Sequence, residues 1–439
     1  QNSDFEIFSN WNQILHRAFS LFFILLMLQP LSARAELTIE ITGGNADAAS
    51  IAIAPFSRGG GGTPTTADFA EIISADLKRS GEFNPLAPAS QPAAPVHGSA
   101  VDLGAWRSRN IDNLVTGHIQ QTASGYRLQF TLYDTASGQQ LLSESVTSSI
   151  KDQRFAAHHI ADLIYEKLTG KRGAFATRIA YVVANRRHRT LKISDSDGHN
   201  AKTVLSSNEP ILSPAWSPDG KRLAYVAFEN GRPGIYVQTL ASGQRIRVSS
   251  SNGLNGAPTW SPDGSRLAVT LSKDGNPEIY IINASGGGER RLTNNPAIDT
   301  EPAWSPDGGR IAFTSNRGGA PQIYQVAAGG GTPARLTFEG SYNADASYAP
   351  DGKSLVLISR SRGDQVAILD LQTRGMQTIS SGSLNESPSY APNGSMVVYA
   401  AAGGVLSVVS VDYDVKQRLA RQGGEVRDPA WSPFLIGRK

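Results

Sequence analysis

The sequence contains no cysteine. That excludes disulfides, thiolate zinc sites, iron–sulfur clusters, a thiol nucleophile and a lipidated cysteine. The seven histidines form no H-E-x-x-H pair, so the common helical zinc-hydrolase arrangement is missing. No G-x-S-x-G pentapeptide occurs, which removes the strained serine elbow that an α/β-hydrolase needs. Charge of one sign is scarce as well. The net charge is +3 and the densest basic cluster is Arg186-Arg187-His188-Arg189, so a pI near 9.0 describes a solvated surface and not a nucleic-acid footprint. No cofactor is implied by any of these patterns.

Long apolar runs are nearly absent too. Ala18 to Leu28 is the one stretch, eleven residues without a charge. As a helix it spans roughly 16 Å, about half a bilayer core, so stable membrane insertion is not expected. Arg17 precedes it and Ala33-Arg34-Ala35 follows, which together make the three parts of a secretory signal. The expectation is a signal peptide over 1–35, cleaved after Ala35, and a secreted mature chain starting at Glu36. Asp4 and Glu6, ahead of the basic residue, depart from that pattern.

What the sequence has in abundance is turns: 44 glycines and 24 prolines among 439 residues. Many of them recur in one pentapeptide. It reads W-S-P-D-G from Trp216, Trp260 and Trp304, Y-A-P-D-G from Tyr348, Y-A-P-N-G from Tyr390, and W-S-P-F-L from Trp431. Successive aromatics are 44, 44, 44, 42 and 41 residues apart. A period in the low forties with one aromatic, one turn and several strand-like runs per unit is that of propeller blades of the WD40-like (PD40) kind. Each mark but the last is followed by a run apolar on both faces, such as Leu355-Val356-Leu357-Ile358, as suits a sheet packed between two others. Ile179-Ala180-Tyr181-Val182 is such a run without its own mark, one period of 44 ahead of Leu223. The spacing therefore predicts a six-bladed β-propeller over 178–436 whose last blade takes its innermost strand from the C-terminus, closing the ring and removing free edges.

Residues 36–170 read as a mixed α/β domain. Glu36-Leu37-Thr38-Ile39-Glu40-Ile41 and Ser50 to Phe56 are strands. Phe69, Ile72, Ile73 and Leu77 recur at helical spacing between Asp68 and Gly81. Three strands follow over 113–121, 126–134 and 140–147, then an amphipathic helix ending at Gly170. His158 and His159 on that helix are adjacent, face different ways, and read as ordinary surface or partly buried side chains. Lys171 to Thr177 is the expected linker. The glycines of 59–62 lack a following G-K-[ST] and read as a loop. Asp195-Ser196-Asp197-Gly198 opens like a calcium loop but lacks the later ligands, and reads as a turn.

Candidate binding residues come from the propeller geometry. The connections into the inner strands converge on the central axis at one face. Three positions ahead of each aromatic stand Ser213, Ala257, Glu301, Asp345, Ser387 and Asp428, with Asn255, Thr300, Asn343, Asn385, Glu386 and Arg427 beside them; Leu254, Gly256 and Asp299 join these only through the family resemblance given below. These could form a polar, partly acidic binding mouth; solvated loops would look the same, and spacing does not separate the two. The aromatic, proline and Asp-Gly of the pentapeptide itself read as packing and turn residues.

Taken with the stretches I-A-I-A-P-F at 51–56, Y-E-K-L-T-G at 165–170, E-P-I-L-S-P-A-W-S-P-D-G at 209–220 and N-P-E-I-Y at 276–280, the chain from about Glu36 to Leu435 resembles the TolB family of the Tol-Pal system. The resemblance implies a non-enzymatic periplasmic adaptor. It implies binding of the Pal lipoprotein at the propeller mouth and of TolA at the mature N-terminus, Glu36, Leu37, Thr38, Ile39, Glu40 and Ile41. An N-terminal strand able to leave its sheet would then be a switch between the two. Other outer-membrane or peptidoglycan-associated partners, and roles in outer-membrane integrity and constriction at division, follow from the same likeness. The alternative is a secreted hydrolase or ligand-binding propeller working through its channel, and a third reading has the acidic ring holding a cation.

Overall fold

The computed structural model describes residues 40–437 apart from 43–44, 46, 60–64, 66, 96–97, 361–362, 414 and 420–421. The expected signal peptide, and Glu36 to Ile39, lie outside the described residues. Among those described, no helix is long and apolar enough to cross a membrane.

Six sheets form the propeller. Blade one covers 211–249, blade two 255–291, blade three 299–335, blade four 342–378 and blade five 386–418. Blade six combines Arg178–Asn185, His188–Asp195 and Lys202–Ser207 with Glu425–Trp431 from the C-terminus, the last pairing antiparallel with Arg178–Asn185. The ring is thus closed by the C-terminal strand, as the orphan run at Ile179 predicts.

The pentapeptides act as blade staples. In blade one Asp219 Oδ1 accepts from Ser217 Oγ at 2.5 Å and from the Lys221 amide at 3.0 Å. Gly220 follows at φ 67°, a left-handed turn position that glycine takes without strain. The aromatics link blades. The indole Nε1 of Trp260 donates to Ala215 O in blade one, and that of Trp216 to Ala430 O in blade six, both at 3.1 Å. The central residues of the second strands are buried, with Leu355, Val356 and Leu357 at 0% exposure.

The α/β domain is built on one sheet in the order 83–85, 49–53, 113–122, 125–134, 140–149. Helix α1 (Phe69–Ser80) starts at Asp68, whose side chain accepts from the Glu71 amide, and stops at Gly81 with φ 81°. Helix α2 is Leu103–Arg107. Helix α3 (Gln153–Thr169) ends at Gly170 with φ 75°. Helices α1 and α3 match the expected elements.

Three expectations need correction or completion. The first strand, Glu40–Thr42, is not part of the α/β sheet. It pairs antiparallel with Lys416–Arg418 as a fifth strand on blade five. Its sequence alternation marks a strand but carries no information about which edge it joins. Second, the expected linker, 171–177, is itself held in place, a detail the sequence did not specify: Asp162 of α3 accepts the Phe175 and Ala176 amides at 2.7 and 3.0 Å, and Phe175 is 1% exposed. Third, His158 is completely buried, at 0% exposure, and sits among charged groups where the α/β domain meets blade six. Adjacent histidines do face different ways, and the one facing inward found partners that only the folded chain brings near.

Candidate functional site: the propeller mouth

Each inner strand has the same irregularity. Pairing with the second strand skips between Leu212 and Ala215, Gly256 and Thr259, Thr300 and Ala303, Ala344 and Ser347, Glu386 and Ser389, and Arg427 and Ala430. The residue at the bulge has positive φ in every blade: Ser213 49°, Ala257 43°, Glu301 53°, Asp345 54°, Ser387 52° and Asp428 48°. These are the six residues three ahead of each aromatic. Left-handed backbone costs a non-glycine residue about 1–3 kcal/mol, and it persists where the surroundings enforce it. A bulge re-aims its side chain, and here all six are turned into one channel of about 470 Å³.

The ring is wired by its own acids. Glu301 Oε2 accepts from the Asp345 amide and from Thr314 Oγ1, both at 2.8 Å. Asp428 accepts from the Ser213 amide at 3.0 Å and from Ser387 Oγ at 3.3 Å. A carboxylate of one blade thus holds the bulge of the next. Burial, with Glu301 and Asp428 close by, pushes the Asp345 carboxyl up to about 8. Asp428 is also raised, by burial, and Glu386 by burial and by Asp428. At neutral pH Asp345 keeps its proton, so the ring carries less negative charge than its residues suggest.

One step outward, four ahead of each aromatic, stand Leu212, Gly256, Thr300, Ala344, Glu386 and Arg427. All but Ala344 are at least partly exposed. Five ahead, the pattern inverts. Asn255, Asp299, Asn343 and Asn385 are 0–3% exposed and act as pins. Asn255 Oδ1 accepts from Ser249 Oγ at 2.7 Å, Asp299 pairs with Arg317 at 2.6 Å, Asn343 Nδ2 donates to Gln322 Oε1 at 2.8 Å, and Asn385 Nδ2 donates to Ser380 Oγ at 3.0 Å. These four belong to the expected mouth by sequence, but the structure turns them between blades, where they hold loops.

Sequence reasoning missed the rim. Six ahead of the aromatic stand Leu254, Ile298 and Leu384, exposed by 41%, 47% and 67%, and Tyr342, stacked under the Arg360 guanidinium at 4.3 Å. Only Leu254 was among the candidates. The common offset was a usable signal, because an apolar residue repeated at an exposed blade position has no packing reason to be there.

At the N-terminus, the backbone of Glu40 and Ile41 lies on the outer edge of blade five, on the circumference and away from this mouth. Of the mouth carboxylates, Glu301 and Asp428 are engaged with backbone amides and hydroxyls, and Asp299 with the Arg317 guanidinium.

The fold and the mouth together define a two-domain protein in which an α/β module carries a six-bladed propeller with a strained polar ring and an apolar rim. Family models agree with both halves: the TolB amino-terminal domain matches 37–141 and the TolB β-propeller domain matches 165–435. The Tol-Pal system protein TolB of Thioalkalivibrio sulfidiphilus is 55% identical over 94% of this chain and 97% of its own length. Its namesake in Xanthomonas campestris pv. campestris is 49% identical over 93% and 96%. The crystal structure of TolB from Acinetobacter baumannii superposes with a TM-score of 0.83 at 43% identity, covering 91% of this chain and all of that one. The chain belongs to the TolB family.

Proposed function

We propose that this protein is a non-enzymatic periplasmic adaptor of the Tol-Pal system. In this reading it binds the Pal lipoprotein at the propeller mouth and TolA through Glu36 to Ile41, supporting outer-membrane integrity and envelope constriction at division. The relatives' names support the Tol-Pal assignment. The observation that carries the adaptor reading is the mouth: a rigid, hydrogen-bonded ring with apolar side chains exposed around it. Such a surface offers desolvated anchors inside polar contacts, the usual anatomy of a protein-binding patch.

The contributing positions are Leu254, Gly256, Ala257, Thr300, Glu301, Asp345, Glu386, Arg427 and Asp428, with Ile298 and Leu384 added by the structure. Asn255, Asp299, Asn343 and Asn385 support the loops from behind. A strand of three residues on a blade edge (40–42) is a weak attachment, since it adds few ladder bonds against the entropy of ordering the segment. It therefore suits a segment that leaves to meet TolA.

The test is capture of Pal and TolA from envelope extract. Glu301→Arg is expected to abolish Pal capture and, by losing its bonds to the Asp345 amide and Thr314, to lower the thermal transition, whereas Leu384→Asp at an exposed side chain is expected to weaken capture with the transition intact. Deleting 36–41 is expected to abolish TolA capture alone. Pal capture that survives substitution at Glu301, Leu384 and Thr300 together would refute the mouth assignment.

A further inference from the structure

A second buried group of charges lies between the α/β domain and the propeller and takes no part in the mouth. Three elements build it. Helix α1 supplies Asp76 and Arg79; α3 supplies Arg154, His158 and Asp162; the outer hairpin of blade six supplies Asp195, Asp197 and His199. Asp76, Arg79 and His158 are exposed by 1%, 2% and 0%.

His158 stands at the centre. Its Nδ1 lies 2.6 Å from Asp76 Oδ2 in its own domain, and its Nε2 lies 3.4 Å from Asp197 Oδ2 in the propeller. Nδ1 shares a hydrogen bond with Asp76, whereas Nε2 faces the Asp197 carboxylate without closing one; with a neutral ring one carboxylate would face a bare nitrogen lone pair, and a positive ring attracts both. The surrounding charges ask for the same thing. Arg79 pairs with Asp76 at 2.9 Å and reaches Ser196 Oγ at 2.8 Å, and Arg154 pairs with Asp197. Asp195 is held by Asn200 Nδ2 at 2.7 Å, and His199 Nδ1 lies 3.3 Å from Asp197 Oδ2. Four carboxylates thus surround two guanidiniums; Asp162 is taken up by the linker amides and Asp195 by Asn200, and an imidazolium brings positive charge between the remaining two, Asp76 and Asp197. His158, Asp195 and Asp197 also offer three atoms within 4.8 Å of one another. Asp197 is already engaged by Arg154, and a proton on the imidazole supplies positive charge between Asp76 and Asp197.

We propose that His158 is a proton-operated latch between the two domains. As an imidazolium it ties Asp76 of the α/β domain to Asp197 of the propeller; release of that proton to solvent opens the junction. Burial opposes the charge and so does Arg79, but Asp76 and Asp197 outweigh them and raise the imidazole above its ordinary value. Asp162, one turn along α3, is raised by burial to about 7 and faces the same cluster while holding the linker amides. The sign follows. A group whose pKa is raised on closure gives its full stabilisation below its open-state value, near 6.5 for histidine, and loses it as pH rises through the raised value. The latch is closed below the raised value and opens as pH rises through it. Opening reaches beyond the hairpin: Gln422 Nε2 donates to Gly198 O at 3.1 Å, and Gln422 Oε1 accepts from Tyr181 OH at 2.6 Å. The hairpin is therefore bonded to the segment that enters the closing strand, which carries Asp428. This inference goes beyond the adaptor reading and does not depend on it.

Imidazole NMR of the whole protein tests the charge state. The expected result is a His158 protonated on both nitrogens at neutral pH; a single neutral tautomer there overturns the proposal. Hydrogen exchange tests the latch. Amides of 171–177 and 195–199, corrected for intrinsic rates, are expected to lose protection between mildly acidic and alkaline pH, about tenfold for each unit by which closure raises the pKa. His158→Gln, which keeps a donor but cannot be charged, is expected to exchange fast at both ends with no pH step. An unchanged pH step in that variant refutes the latch. Should His158→Gln not fold, Asp197→Asn decides: it leaves the ring in place, and the step must move to lower pH. A step that stays put counts against the mechanism.

Discussion

Replacing Asp345 with asparagine removes one carboxyl from the mouth while keeping its shape, and its consequence depends on pH in a way that can be calculated. Unfolded, the carboxyl titrates near 3.8; folded, it is pushed up to about 8 by burial and by Glu301 and Asp428. Between those values folding must take up a proton, so stability falls as pH rises, by at most about 1.4 kcal/mol per unit, and levels off above the folded value. Asparagine resembles the protonated acid at every pH and pays no such penalty. From about pH 6 to about pH 8 the full slope would shift the balance in favour of the variant by roughly 2 kcal/mol, and relaxation of a half-buried site reduces that to about 1 kcal/mol. At roughly 2–4 °C per kcal/mol for a domain of this size, the variant's melting temperature should gain a few degrees on the parent across that interval. Calorimetry on both proteins at several pH values makes the comparison. A difference in melting temperature that does not change with pH, or that shrinks as pH rises, would refute the argument that the three acids share one desolvated channel.

Other substitutions separate the rim from the frame. Ile298→Asp and Leu384→Asp, at side chains 47% and 67% exposed, should leave the unfolding free energy within about 0.5 kcal/mol of the parent yet, on the proposed reading, lower Pal affinity at least tenfold by calorimetric titration. Trp431→Ala should cost about 3–5 kcal/mol in denaturant unfolding. The indole is 6% exposed, donates to Thr177 Oγ1 at 2.8 Å, and fixes the closing strand to the start of blade six.

The inner strands show where sequence reading reached and where it stopped. The aromatic marks counted six blades, and the orphan run at Ile179 located the closure, because a strand's identity is written in local apolar pattern and a repeat shows its own period. The candidate mouth was legible only as a neighbourhood. Glu301 and Asp299 look equivalent in sequence, two polar residues two positions apart, and an ordinary strand would point them the same way. The bulge between Thr300 and Ala303 breaks that rule, so that Glu301 faces the channel while Asp299 is buried against Arg317. The positive φ that produces this falls on serine, alanine, glutamate and aspartate alike, without the glycine that would have announced it.

By itself the sequence determined the blade count, the domain order, the turn chemistry and the closing strand, since each rests on residues close along the chain or on repetition. Tertiary structure alone decided three things. It placed Glu40–Thr42 on blade five, because an edge strand's partner is set by which edge is free. It turned the residues five ahead of each aromatic inward and those three ahead toward the channel, because a bulge changes direction without changing composition. And it put His158 between Asp76 and Asp197, groups 82 and 39 residues away in sequence, where burial removes the water that would otherwise have made its charge unremarked.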